Sequence, residues 1–172
     1  MRWLNFIILL FVTLILQAGP GRLFGLGPQR IMPDLLLILA VILAFRAGIP
    51  QILIACWILG LAKDLTSPAP FGCYAFTFGL VAWLIFHLRE WLYGQHPLTL
   101  ILLTFFAVHL VEHVTLMISL LKNELPSGQY DAFSLTVFFS ALFSAALAPY
   151  FQWLLLKLHR LLGIPLHRSH RY

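Results

Sequence analysis

Long uninterrupted apolar runs constrain this chain more than any other feature. A helix needs about 20 mostly apolar residues to cross the hydrocarbon core of a membrane. The runs leave little room for charge, since 61% of the residues are hydrophobic and 10% are charged. Soluble domains carry roughly 25% charged residues. So few charges cannot cover a surface exposed to water, and the sequence therefore predicts an integral membrane protein.

The apolar runs divide the chain into six predicted transmembrane helices. Their predicted ranges are 3–18, 34–45, 50–65, 73–87, 98–121 and 133–156. Leu16 occupies a position where cleavage of a signal peptide requires a small residue, so the first run is predicted to be an uncleaved helix. The predicted fold class is an all-α integral membrane protein. A six-helix domain is expected over residues 1–156, and a basic cytoplasmic tail over residues 157–172.

The basic residues lie singly at the ends of the apolar runs. This distribution is typical of membrane anchoring and not of a groove that binds nucleic acid. With six spans, both termini lie on the same side of the membrane. That side would carry one acidic residue, Glu90, and seven basic residues: Arg2, Arg46, Arg89, Lys157, Arg160, Arg168 and Arg171. On the other side basic and acidic residues balance: Arg22, Arg30, Lys63 and Lys122 against Asp34, Asp64, Glu124 and Asp131. Because cytoplasmic loops are enriched in Lys and Arg, both termini are predicted to be cytoplasmic.

Three ionisable residues, His109, Glu112 and His113, lie near the middle of the predicted fifth helix. Their spacing predicts a shared helix face, and it matches the H-x-x-E-H pattern of inverted zinc proteases. A catalytic zinc needs a third protein ligand, and neither Glu124 nor Asp131 lies where one is expected. Hydrogen bonds to a neighbouring helix or a partner are therefore favoured. A proton or ligand relay and zinc hydrolysis are the alternatives, and no metal or cofactor is predicted.

Small residues recur at four-residue spacing in the predicted sixth helix: Ser140, Ala141, Ser144, Ala145 and Ala148. This pattern lets helix backbones approach closely, and it predicts packing within the fold or against a partner helix. Cys56 and Cys73 have no C-x-x-C partner, so they are predicted to fill apolar space and not to form a disulfide or metal site.

Three short stretches surround the predicted third helix. Pro33-Asp34-Leu35-Leu36-Leu37 opens the second helix, Gly60 to Ser67 ends the third, and Pro70-Phe71-Gly72 leads into the fourth. Pro33 is expected in the first turn of the second helix, and Asp34 is expected to cap that helix. Asp64 is expected to accept hydrogen bonds from the turn over 66–72. Gly60 is expected to permit close approach of a neighbouring helix.

In this order and spacing, the three stretches resemble the MreD family of bacterial rod shape-determining membrane proteins. These residues carry the resemblance, with a role in the fold or in partner contact: Pro33, Asp34, Gly60, Asp64, Ser67, Pro70 and Gly72. For Asp34, Gly60 and Asp64 a role in the fold is favoured. The chain departs from the family at Ile52 and Cys56, where glycine is frequent. It also departs at Lys63, which predicts a local ion pair or an altered surface.

The resemblance implies a fold similar to the substrate-binding subunits of energy-coupling-factor transporters. It implies a non-enzymatic scaffold in the bacterial inner membrane, within the machinery that synthesises peptidoglycan during elongation and maintains the rod shape. The implied partner is an MreC-like protein, with MreB, RodA and its transpeptidase as indirect partners. One alternative is a vitamin-type transporter subunit in which His109, Glu112 and His113 line a cavity. An intramembrane metalloenzyme is less favoured.

Overall fold

A computed structural model describes residues 3–19, 32–46, 49–67, 69–88, 97–121 and 130–162 of the chain. The described residues form six α-helices, which we number in chain order. They are α1 (Trp3–Ala18), α2 (Leu35–Arg46), α3 (Ile49–Thr66), α4 (Cys73–Leu88), α5 (Pro97–Leu121) and α6 (Tyr130–Leu162). The predicted all-helical class is confirmed.

Helix α2 is the centre of the bundle. It contacts each of the other helices, and the side chains from Leu36 to Ala44 are all buried. A helix that is hydrophobic on all sides is stable only when other elements surround it. The sequence of α2 from Leu35 to Phe45 contains no polar residue, so the other helices can pack against all of its faces.

The surrounding helices expose large apolar side chains on their outer faces. Examples are Phe11 on α1, Trp57 on α3 and Phe106 on α5. A surface of this kind is unstable in water but needs no partner in lipid. Two helices, over Pro97–Leu121 and Ser134–Lys157, are long and apolar enough to cross a membrane. Shorter apolar helices lie over Phe6–Gln17, Leu35–Phe45 and Cys73–Leu88.

The small residues of α6 pack inside the fold. Ala141, Ser144, Ala145 and Ala148 are buried, and α6 contacts α2 and α5. Ser140 Oγ also donates a hydrogen bond to the carbonyl oxygen of Met32, at 2.8 Å. Of the two interpretations open from the sequence, packing within the fold is the one that the structure supports.

Most helix ends lie within three residues of the predicted ends, and two differences bear on the predictions. Helix α2 begins at Leu35, so Pro33 precedes the helix and is not in its first turn. Helix α6 continues to Leu162, beyond the predicted end at Leu156. The end of α6 was predicted at the point where charged residues begin. Charged residues end a membrane span, but the helix itself can continue past them. The predicted division at residue 157 concerns the membrane, and it stays a prediction.

Candidate functional site

Polar side chains from or beside all six helices meet where α1 and α3 end and α2 and α4 begin, with Glu112 and Ser144 contributed by the interior of α5 and α6. The end of α1, the start of α2, the end of α3 and the start of α4 are joined by hydrogen bonds, so these four helices alternate in direction. Their hydrogen bonds join the helices into one network. We call this network the polar layer; its members are Gln17, Asp34, Lys63, Asp64, Tyr74, Glu112 and Ser144.

Asp34 caps the first turn of α2. Its Oδ1 atom accepts the backbone N–H of Leu37 at 3.2 Å, and Gln17 Oε1 of α1 accepts the N–H of Leu36 at 3.1 Å. The first amides of a helix have no partner within the helix, and lipid supplies none. The backbone N–H of Asp34 itself donates to Ser144 Oγ at 2.9 Å. This cap therefore attaches the start of α2 to both α1 and α6.

Lys63 is the cation of the polar layer. Its Nζ forms ion pairs with Asp34 Oδ2 of α2 and, at 3.2 Å, with Glu112 Oε1 of α5. The same Nζ lies 4.1 Å from the ring centroid of Tyr74, within the range of a cation–π contact. Lys63 and Asp34 are buried. A buried charge is tolerated when it is paired and hydrogen-bonded. Of the two expectations at Lys63, a local ion pair or an altered surface, the structure supports an ion pair, but with residues distant in the chain.

Glu112 connects α5 with two other helices. Besides its ion pair with Lys63 of α3, its Oε2 atom accepts a hydrogen bond from the Tyr74 hydroxyl of α4 at 3.4 Å. Contact with neighbouring helices was the favoured interpretation for the three ionisable residues of this helix, and it is confirmed for Glu112.

Asp64 caps the start of α4. Its two carboxylate oxygens accept the backbone N–H groups of Tyr74 and Ala75, each at 3.0 Å. The sequence analysis expected these bonds with the turn over 66–72, and that position was wrong. Two amides near the turn have nearer acceptors: the Ala69 N–H bonds to Ser67 Oγ, and the Cys73 N–H bonds to the Pro70 carbonyl. The unpaired amides lie in the first turn of α4, where a carboxylate also complements the helix dipole.

Two glycines permit this junction between α3 and α4. A Cβ atom on Gly60 would lie 2.5 Å from both Ala75 Cα and Tyr74 O, so the backbones of the two helices are in direct contact. Gly72, at the start of α4, has a φ of +93°, a conformation that residues with a Cβ atom rarely adopt. The close approach expected at Gly60 is confirmed.

His109, Glu112 and His113 lie within an arc of about 100° around α5, as their spacing predicts, but their side chains have different surroundings. Adjacent residues are about 100° apart around a helix, so Glu112 contacts the polar layer while His113 is exposed. His113 Nδ1 bonds to the carbonyl oxygen of His109 at 2.8 Å. Within the described ranges, no group of three His, Cys, Asp or Glu side chains could hold a metal ion. Among the described residues, the three side chains are thus not assembled as zinc ligands.

Gln17 and Tyr74 are members of the polar layer that the sequence analysis missed. Both have polar atoms at the ends of apolar helices, where they resemble ordinary interfacial residues. Lys63 was the feature of the sequence that could have indicated the polar layer. A cation in an apolar helix needs counter-charges and a nearby aromatic ring, because these lower the free-energy cost of its burial.

Comparison with known proteins identifies the family. The family model for the rod shape-determining protein MreD matches residues 1–158. No curated protein and no solved structure matches the chain. The matched region includes all the family-motif residues from Pro33 to Gly72 and every member of the polar layer. This chain therefore belongs to the MreD family and has the role of a rod shape-determining membrane protein.

Proposed function

We propose that this protein is a non-enzymatic scaffold of the cell-elongation machinery and that it binds an MreC-like protein in the bacterial inner membrane. The observation that carries the proposal is the family match over residues 1–158. The scaffold would hold its partner by lateral packing of helices. In lipid this packing depends on shape, small residues and interhelical hydrogen bonds and not on a hydrophobic driving force.

The polar layer supports a structural role. Asp34 and Asp64 accept hydrogen bonds from backbone amides at helix starts. Lys63 and Glu112 pair with each other across α3 and α5. A reactive group in an enzyme must be available to a substrate, whereas these groups already hold neighbouring helices together. A frame fixed in this way suits a protein that presents a constant surface to a partner.

The proposal includes six membrane spans with both termini in the cytoplasm, in a fold similar to the substrate-binding subunits of energy-coupling-factor transporters. The alternating direction of the helices and the excess of Lys and Arg on one side support this topology. The described part of α2 has 12 residues and a length of about 18 Å. Because it is surrounded by other helices, it need not match the full thickness of the lipid.

MreB, RodA and the transpeptidase of RodA would be indirect partners, reached through the MreC-like protein. A scaffold of this kind contributes to rod shape by keeping the components of peptidoglycan synthesis together. It contributes no catalytic group of its own.

The test is copurification of the full chain with the MreC-like protein of the same organism. Both proteins are expressed together, extracted in a mild detergent and purified through a tag on the MreC-like protein. We expect the two proteins to elute together in a fixed ratio. A folded chain that separates completely from a folded MreC-like protein would contradict the proposal.

A further inference from the structure

Three exposed side chains form a row near the end of α6. Tyr150, Trp153 and Lys157 are all exposed, and their spacing places them on one face of the helix. The ring centroids of Tyr150 and Trp153 are 5.9 Å apart, and Lys157 Nζ lies 5.2 Å from the ring centroid of Trp153. The indole ring therefore supports the ammonium group by a cation–π contact at the outer surface of the bundle.

The polar layer gives the depth of Lys157 in the bundle. Ser144 of α6 belongs to this layer, and Lys157 follows it after 13 residues, or about 20 Å of helix. On the same side of the layer, each of the other five helices ends within 12 to 15 residues, or about 18–23 Å. Lys157 is thus level with the ends of the other helices. Trp3, at the start of α1, is exposed at this level too, and exposed Trp and Tyr rings are typical of the boundary between hydrocarbon and headgroups.

Helix α6 continues beyond this boundary. Its apolar part, Ser134–Lys157, has 24 residues and a length of about 36 Å, which exceeds the hydrocarbon thickness of about 30 Å. The helix ends at Leu162, five residues after Lys157, and these residues add about 7 Å. Arg160 lies in this extension. We call residues 150–160 the interfacial segment, because they cross from the hydrocarbon into the headgroup layer.

The positive charge of the interfacial segment has few acidic residues near it. Among the described residues, both ion pairs belong to Lys63, so Lys157 is not paired with any of their carboxylates. Of the six acidic residues in the sequence, three belong to the polar layer, about 20 Å away. Two more lie between α5 and α6 or in the first turn of α6, at the opposite end. Only Glu90 follows a helix that ends at the level of Lys157.

We propose that the interfacial segment binds the headgroup of an anionic phospholipid, with Lys157 Nζ paired to its phosphate. The depth selects a lipid, because headgroups surround exposed side chains at this level. The charge selects an anionic lipid, since a zwitterionic headgroup carries its own cation and gains less from an excess of Lys and Arg. The site would fix the rotation and depth of α6 in the bilayer. The inference does not depend on binding of an MreC-like protein.

The first experiment measures the headgroup preference of the full chain. The protein in mild detergent is mixed with equal concentrations of phosphatidylglycerol and phosphatidylcholine that carry the same acyl chains. Native mass spectrometry then gives the ratio of the two lipids in the complex with one bound lipid. Lys157→Gln removes the positive charge, and Lys157→Arg retains it. Lys122→Gln is the matched control, because Lys122 directly follows α5 at the opposite end.

We expect the wild-type chain to retain phosphatidylglycerol preferentially. Lys157→Gln should lower the ratio about three- to fivefold, the effect of one basic residue near an anionic surface, whereas Lys157→Arg and Lys122→Gln should stay within about twofold of the wild type. Lys157→Gln should unfold at the wild-type temperature, because Lys157 is exposed. The inference would be overturned by a wild-type chain without preference, by equal losses in Lys157→Gln and Lys122→Gln, or by an equal loss in Lys157→Arg. None of these results would affect the proposed function.

The second experiment locates the bound headgroup. A phosphatidylglycerol with a photoreactive diazirine on its headgroup is incorporated into proteoliposomes of the full chain, and the labelled peptides are identified after illumination. We expect adducts concentrated in residues 150–162 that excess unmodified phosphatidylglycerol suppresses and excess phosphatidylcholine does not. Adducts distributed evenly among the helix ends at this level, including the start of α1, would indicate a nonspecific lipid shell and overturn the inference. Equal suppression by the two lipids would overturn it as well.

Discussion

Lys63 is in contact with groups from three other helices: Asp34 of α2, Tyr74 of α4 and Glu112 of α5. The free-energy cost of burying an ammonium group is large, and two carboxylates and an aromatic face offset it here. The arrangement is therefore interdependent. Removing the cation leaves the Asp34 and Glu112 carboxylates in a low-dielectric environment without their counter-charge.

Replacing Lys63 by Met should lower the free energy of unfolding by about 3 kcal/mol, because breaking a buried ion pair leaves an uncompensated charge. Unfolding in mixed detergent micelles, followed by circular dichroism, measures the change. Lys157→Met is the control, since Lys157 is exposed near the end of α6, and it should change stability by less than about 0.5 kcal/mol.

A second change separates charge from packing at Lys63. Adding Glu112→Gln to Lys63→Met removes one of the two orphaned carboxylates, so the double variant should recover part of the lost stability. If the double variant is as unstable as the sum of the two single variants, the measured loss at Lys63 arises from packing and not from charge.

The sequence predicted an ion pair at Lys63 but not its partners. Asp34 is 29 residues away and Glu112 is 49 residues away, and separation along the chain does not determine which helix faces meet. The same limit applies to His113. The i, i+4 spacing from His109 is correct, but the orientation of α5 within the bundle decides that Glu112 contacts Lys63 while His113 faces outward.

At the scale of elements, the α3–α4 junction combines close backbone contact with a carboxylate cap. Gly60 lets α3 approach α4, and Asp64 is then near enough to accept the N–H groups of Tyr74 and Ala75. The cap depends on the approach, since hydrogen bonds of 3.0 Å permit little separation of the helices. The two family-motif residues thus act together.

Gly60→Ala should destabilise the protein by about 1–3 kcal/mol, because the added Cβ would overlap backbone atoms of Tyr74 and Ala75 that cannot move independently. Thermal unfolding in detergent measures the effect. Hydrogen exchange at the amides of Tyr74 and Ala75 should also become faster as the Asp64 cap loosens.

Gly79→Ala is the matched control on α4. Its Cβ would meet the nearest atom, Cδ1 of Trp57, at 3.8 Å, which is an ordinary contact. Alanine is favoured over glycine in a helix by up to about 1 kcal/mol, so this variant should be as stable as the wild type or slightly more stable. Equal effects at Gly60 and Gly79 would show that the α3–α4 contact is not as close as the structure indicates.

Apolar runs predicted the existence of all six helices, and Gly- and Pro-rich breaks predicted most of their limits. They did not predict the end of α6, because a membrane span and a helix end for different reasons. The central position of α2 was also not predicted, although the absence of polar residues from Leu35 to Phe45 is consistent with burial on all sides.

At the scale of the whole molecule, the polar layer lies at one end of the bundle and the excess of basic residues is predicted at the other. The two ends would then differ in character, with paired charges inside one end and an excess of Lys and Arg at the other. Because cytoplasmic segments retain Lys and Arg, the polar layer is expected at the periplasmic side.

Cysteine labelling in spheroplasts tests this orientation. The natural thiols, Cys56 and Cys73, are buried, so a membrane-impermeant maleimide should label the wild-type chain weakly. Ser127→Cys, in the segment between α5 and α6, should react in intact spheroplasts, whereas Ser169→Cys near the C-terminus should react only after lysis. The reverse pattern would place the termini outside the cytoplasm and contradict the predicted topology.

The distribution of the buried charges along the chain has a consequence for biosynthesis. Asp34 leaves the ribosome first, Lys63 follows 29 residues later and Glu112 another 49 residues after that. The first pair can form as soon as α2 and α3 have entered the bilayer, so Glu112 joins a pair that is already neutral. Translation halted before α5 leaves the Asp34–Lys63 pair complete. Deletion of α3, in contrast, leaves the Asp34 and Glu112 carboxylates without their cation, which would mark the nascent chain for membrane quality control.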